Sequence, residues 1–118
     1  MKPKRAHPEK DLQKAVAQFL ERALPSDAWF TSILGGYGKA TIRAAGYKQG
    51  APDLIVLYEG TLFAFELKAK RGHLEQAQKE TERKIEKAGG YWHEARSVAE
   101  VECILRDYGF PLRAKVSA

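Results

Sequence analysis

GYKQGAPDLIVLYEGTLFAFELKAKRG, residues 46–72, is the stretch on which the fold of the whole chain turns. DLIVLY (53–58) and TLFAFELKA (61–69) carry the aliphatic, β-branched and aromatic content of strands, and Glu59-Gly60 between them suits a two-residue hairpin turn. Set into these apolar arms are Asp53, Glu66 and Lys68, residues that are costly to bury without partners. Side chains alternate along an extended strand, so Glu66 and Lys68 share one face while Phe63, Phe65 and Leu67 share the other. The turn folds Asp53 back toward the end of the strand that carries Glu66. One hairpin therefore gathers two carboxylates and an ammonium group.

Working outward, PEKDLQKAVAQFLERALP (8–25) places Leu12, Val16, Phe19 and Leu20 on one helical stripe, with Pro8 suited to the first turn and Pro25 ending it. AWFTSIL (28–34) has strand composition. GGYGKATIRAAGYKQGAP (35–52) holds five of the ten glycines, which predicts a shaped loop with a short helix at 39–45. Beyond the hairpin, HLEQAQKETERKIEKAGG (73–90) predicts a polar helix with Leu74, Ala77, Thr81 and Ile85 inward and a Gly pair past its end. YWHEA (91–95) reads as a fourth strand. Ser97 and Glu100 stand in capping-box spacing and Gly109 closes the final helix. The strand-helix-strand step after the hairpin demands a parallel, right-handed crossover. The expected fold is α/β, a small mixed sheet of about four strands flanked by helices in the order α-β-β-β-α-β-α.

A chain of 118 residues supports one hydrophobic core. We expect a basic arm at 1–7, able to touch nucleic acid or to serve as a tail without a role, and a single domain over 8–118. Twenty Lys and Arg against fifteen Asp and Glu give +5, which favours polyanionic partners. Cys103 is the single cysteine, so an internal disulfide and a cysteine-based metal cluster within one chain are excluded, and a reducing cytoplasm is the default. The basic N-terminus leads into an amphipathic segment, unlike a signal peptide, and no apolar run is long enough to span a bilayer.

Two adjacent carboxylates repel unless one is protonated or a cation lies between them. A hard ion such as Mg²⁺ resolves the conflict, since it accepts a few carboxylate oxygens together with water and phosphate. It would polarise a phosphodiester and lower the pKa of an attacking water, while Lys68 orients that water or neutralises developing charge. Pro52 would set the angle at which the chain enters the Asp53 strand. Taken singly, an Asp after Pro commonly caps a turn, and Glu-x-Lys on a strand is commonly a solvated ion pair. Their joint placement on the two arms of one hairpin favours a hydrolytic site.

Pro52-Asp53 followed by Glu66-Leu67-Lys68 resembles the PD-(D/E)XK nuclease signature. GAPDLIVLYEGTLFAFELKAKRGHLEQAQ resembles the VRR-NUC (virus-type replication-repair nuclease) family more closely, with Gly50, Gly72 and Gln78 in matching positions, and the similarity continues through GGYWHEARSVAEVECILRDYG to FPLRAKV. The resemblance implies a restriction-endonuclease-like core and a Mg²⁺- or Mn²⁺-dependent deoxyribonuclease without an organic cofactor. It implies Asp53, Glu66 and the Leu67 carbonyl as metal ligands, Lys68 as the catalytic lysine and Gln78 beside the site. It also implies an acid on the first helix, for which Glu9 is the candidate. Glu9 shares a helical face with Leu12 and Val16 whereas Asp11 turns away, although a first-turn acid also satisfies the helix dipole.

Lys39, Arg43 and Lys48 before the site, and Lys70 and Arg71 after it, suit flanking phosphates, as they would suit a solvated face. Tyr37 and Tyr47 could stack on unpaired bases or simply pack. His7, His73 and His93 lack ligand spacing. Small phage and bacterial members of the family imply a homodimer acting on branched DNA such as four-way junctions, in replication, recombination or repair, in the cytoplasm of a prokaryotic or phage-infected cell. One domain leaves no room for a separate reader of sequence, which fits recognition of shape. The alternatives are a nickase or flap nuclease, a nucleic-acid-binding module that keeps the fold without cleaving, or a protein-interaction domain whose acids form a structural ion-pair network.

Overall fold

The computed structural model describes residues 8–33 and 45–116. The basic arm, most of the short helix expected at 39–45, and Tyr37, Lys39 and Arg43 lie outside the described residues. Seven elements follow in the expected order: α1 (Pro8–Ala23), β1 (Trp29–Ser32), β2 (Leu54–Tyr58), β3 (Thr61–Leu67), α2 (Gln76–Lys87), β4 (Tyr91–Ala95) and α3 (Val98–Asp107). The strands form one mixed sheet in the order β1-β2-β3-β4. β1 and β2, and β2 and β3, pair antiparallel, whereas β3 and β4 run parallel, as the crossover through α2 requires.

The hairpin forms at the anticipated turn. Glu59 (φ 50°) and Gly60 (φ 76°) both adopt positive φ, the geometry of a type I′ turn whose twist matches that of the strands it joins. Pairing of Tyr58 with Thr61 starts a register that runs to Leu54 opposite Phe65.

One face of the sheet presents Leu54, Val56, Phe63, Phe65, Leu67 and Ala95 to Val16, Phe19, Leu20 and Ala23 of α1 and to Val101 and Leu105 of α3. Burying one such large side chain contributes about 1.5–3 kcal/mol, so this layer holds the strands of the hairpin rigidly in place. Ser97 caps α3 by accepting the Glu100 N–H at 3.0 Å, and Gly109 (φ 86°) follows its last turn.

α2 departs from the sequence expectation at its start. The helix begins at Gln76 with Glu75 as N-cap, leaving Leu74 half-buried in the preceding connection. Gln78 is the reason, because its Oε1 accepts the Glu75 N–H at 2.9 Å and closes the helix there. Ala77, Thr81 and Ile85 do face inward but are only half-buried. Gly50 (φ 84°) lets α2 approach closely, since a Cβ there would lie 2.4 Å from the Ala77 carbonyl oxygen.

Candidate active site

The register that builds the hairpin also builds the site. Leu54 pairs with Phe65, so the next step outward sets Asp53 across from Glu66, on the face away from the α1/α3 core. Asp53 Oδ2 accepts the Leu67 N–H at 2.7 Å, which fixes the carboxylate beside the strand. Hydrogen-bonded pairs alternate from the turn, and the same count puts Pro52 opposite Leu67 at a bonding position. Proline has no N–H, so the ladder supplies no donor to the Leu67 carbonyl.

Glu66 is 2% exposed and its Oε1 has no hydrogen-bond partner among the described residues. Its acid is pushed up to about 9, first by burial and then by hydrogen bonding to and repulsion from Asp53, with Lys68 opposing the shift and Glu9 adding to it. A buried carboxyl group packed against a second, half-buried one resists taking on charge beside it unless a cation joins them. Lys68 is 7% exposed. Its stem runs past Gly72, where a Cβ would lie 3.3 Å from Lys68 Cδ and 2.8 Å from Glu9 Oε1.

A pocket of about 320 Å³ opens over the carboxylates, lined among others by Glu9, Asp53, Glu66, Leu67 and Gln78. The first helix, both arms of the hairpin and the second helix thus meet at one cavity. Glu9, exposed in the first turn of α1, points Oε1 at the Ala69 N–H across 3.4 Å. Gln78 reaches the cavity from the first turn of α2, with its Oε1 engaged in the helix cap. Lys48, Lys70 and Arg71 are exposed on the two segments that flank the hairpin, and Tyr47 lines the cavity itself. His93 instead packs against Tyr108.

The residues fit a hard divalent cation. Asp53, Glu66 and the Leu67 carbonyl offer only oxygens, and one oxygen of Glu66 is buried with no partner among the described residues. Among the described residues no group of three or more His, Cys, Asp or Glu converges to hold a metal. Mg²⁺ needs no such cage, since it commonly takes one or two carboxylates and completes its shell with water and substrate phosphate.

Sequence reasoning missed several residues of this region. Lys10, Gln13, Gln49 and Glu75 also line the cavity. Glu94 on β4 and Arg96 just beyond its end were missed as well, although a signal existed. Glu94-x-Arg96 repeats the acid-x-base spacing of Glu66-x-Lys68, and the parallel register sets Glu94 directly beside Glu66.

No protein-family model and no curated protein matches the chain. Solved structures do match. One described as "VRR_NUC domain" is 21% identical, covers 87% of this chain and 99% of its own, and superposes with a TM-score of 0.61. Another, "VRR_NUC domain protein", is 19% identical, covers 90% and 91% of the two chains, and gives 0.63. What they share with this chain is the fold, over nearly the full length of both partners.

Proposed function

We propose that this chain, which has the VRR-NUC fold, is a deoxyribonuclease that hydrolyses phosphodiester bonds with Mg²⁺ or Mn²⁺. The observation that carries the proposal is the pairing of Asp53 with a Glu66 whose buried oxygen lacks a partner among the described residues, two residues before a buried Lys68 on the same face. When bound, the cation supplies Lewis-acid polarisation of the phosphodiester and lowers the pKa of the attacking water. Asp53, Glu66 and the Leu67 carbonyl hold it, with Glu9 as a further acid at the cavity. Lys68 Nζ orients the attacking water and offsets the charge that develops on the phosphorane-like transition state. Gln78 fixes the start of α2 at the cavity wall. Lys48, Lys70 and Arg71, together with Lys39 and Arg43, bind flanking phosphates.

Exposed Lys48, Lys70 and Arg71 on the segments that flank the hairpin suit a substrate recognised by shape. The reading extends to branched DNA such as four-way junctions, cut by a homodimer whose two sites meet two strands. Labelled four-way junctions, flaps and nicked duplexes incubated with Mn²⁺ should reveal the preferred structure. Asp53→Ala should abolish cleavage, and Lys68→Ala should lower kcat by about 10²–10³-fold, the scale of losing one preorganised electrostatic group. Undiminished cleavage by both variants would overturn the assignment. A DNA-binding module without activity would instead bind without metal and cleave nothing. A monomer by sizing, on and off DNA, would remove paired junction cutting and leave nicking or flap cleavage.

A further inference from the structure

The segment that follows Lys68 leaves the sheet and turns, with the Gly72 N–H donating to the Ala69 carbonyl at 2.9 Å. A four-residue turn on its own is a weak support for a catalytic side chain. Here one guanidinium grips it. Arg96 Nη1 donates to the carbonyl of Ala69 at 2.6 Å and of Lys70 at 3.2 Å, and Nη2 donates to the carbonyl of Gly72 at 2.9 Å. Arg96 is itself held by Glu94, with Nη2 2.6 Å from Oε1. The opposite side of the turn meets the site: the Ala69 N–H faces Glu9, and a Cβ built on Gly72 would reach both the Glu9 carboxylate and the Lys68 stem.

We infer that Arg96 is a positioning residue for Lys68 and Glu9. It sets the location of the Ala69–Gly72 turn, and the turn sets the wall against which the Lys68 chain and the Glu9 carboxylate lie. The planar fork is what makes this possible, because its donors diverge at fixed angles toward several carbonyls at once, which a lysine ammonium on a flexible stem does not reproduce. Glu94, on β4 two residues before Arg96, keeps the fork aimed and supplies the countercharge. A Cβ at Gly72 would lie 2.8 Å from Glu9 Oε1, so a side chain there would have to displace the Glu9 carboxylate. The inference rests on the nuclease reading of the site.

The test uses the full chain with Mn²⁺ and a DNA that the wild type cleaves, comparing Arg96→Ala, Arg96→Lys and Glu94→Gln with Asp53→Ala. Arg96→Ala should lower kcat by about 10²-fold with KM nearly unchanged, the scale expected when a reacting group is misplaced by an ångström or so. Millimolar guanidinium should restore a large part of kcat to Arg96→Ala and none to Asp53→Ala. Arg96→Lys should recover little, and Glu94→Gln should lose less than either Arg96 variant. Amide hydrogen exchange should speed at Gly72 in Arg96→Ala while the β2 and β3 amides stay protected, which shows that the variant is folded. A wild-type kcat in Arg96→Ala, a loss confined to KM, or a loss that guanidinium does not relieve would each overturn the inference while leaving the nuclease reading intact. A wild type that cleaves none of the panel would instead remove that reading, and this inference with it.

Discussion

Glu66 is under opposing demands. In the folded chain its acid is raised from 4.5 to about 9, so without metal the native state keeps a proton that the unfolded chain releases over that interval. Stability of the metal-free protein should therefore be highest at low pH on this account and fall as pH rises from 4.5 toward 9. Glu66→Gln retains the shape and removes the titration, and should stabilise the metal-free protein by about 1–3 kcal/mol near neutral pH. Thermal unfolding of both proteins across this pH range checks the claim, and parallel curves would refute it. Mn²⁺ should raise the Tm of the wild type and leave that of Glu66→Gln almost unmoved, since a ligand stabilises only the state that binds it. Binding the cation must expel the proton that Glu66 keeps, so affinity for Mn²⁺ should strengthen with pH below about 9.

At the scale of elements, the closeness of α2 to the hairpin depends on a missing side chain. Gly50 and Gly46 both have positive φ, at 84° and 89°, but among the described residues Gly50 faces a neighbour, whereas a Cβ on Gly46 meets nothing within 4 Å. Gly46→Ala should cost about 1–2 kcal/mol, the penalty of left-handed backbone alone. Gly50→Ala should cost clearly more, because it adds a collision with the α2 backbone and pushes the helix, with Gln78, away from the site. Denaturant unfolding of the two variants separates these contributions, and equal losses would contradict the packing argument. Gln78→Ala should cost about 1 kcal/mol through the lost cap, apart from any effect on cleavage.

For the whole molecule, β3 serves two functions on its two faces. Phe65 is fully buried in the α1/α3 core, and its neighbour Glu66 faces the cavity. Phe65→Ala should destabilise the protein by about 3–5 kcal/mol, measured by denaturant unfolding. Charge is the other global property. With a net +5 and five cations assigned to flanking phosphates, DNA affinity measured without cleavage should fall by about 10²–10³-fold between low and physiological-to-moderate salt. A salt-independent affinity would argue against phosphate contacts by Lys39, Arg43, Lys48, Lys70 and Arg71.

Asp53, Glu66 and Lys68 could be placed together from sequence because strand periodicity and a two-residue turn are local rules that propagate without error along a short hairpin. The element order was legible for the same reason, as helix stripes, caps and glycines each signal within a few residues. Leu74 was misplaced because a side-chain cap from Gln78 outcompeted the apolar periodicity at the start of α2. The remaining features depended on contacts between distant segments. Glu9 meets Ala69 across 60 positions and Arg96 meets the same residue across 27. Hydrophobic burial determines where α1 and β4 lie, and only that packing decides which of their polar residues reach the site. The amino-acid sequence by itself determined the hairpin and its three charged groups, and the tertiary structure decided what surrounds and steadies them.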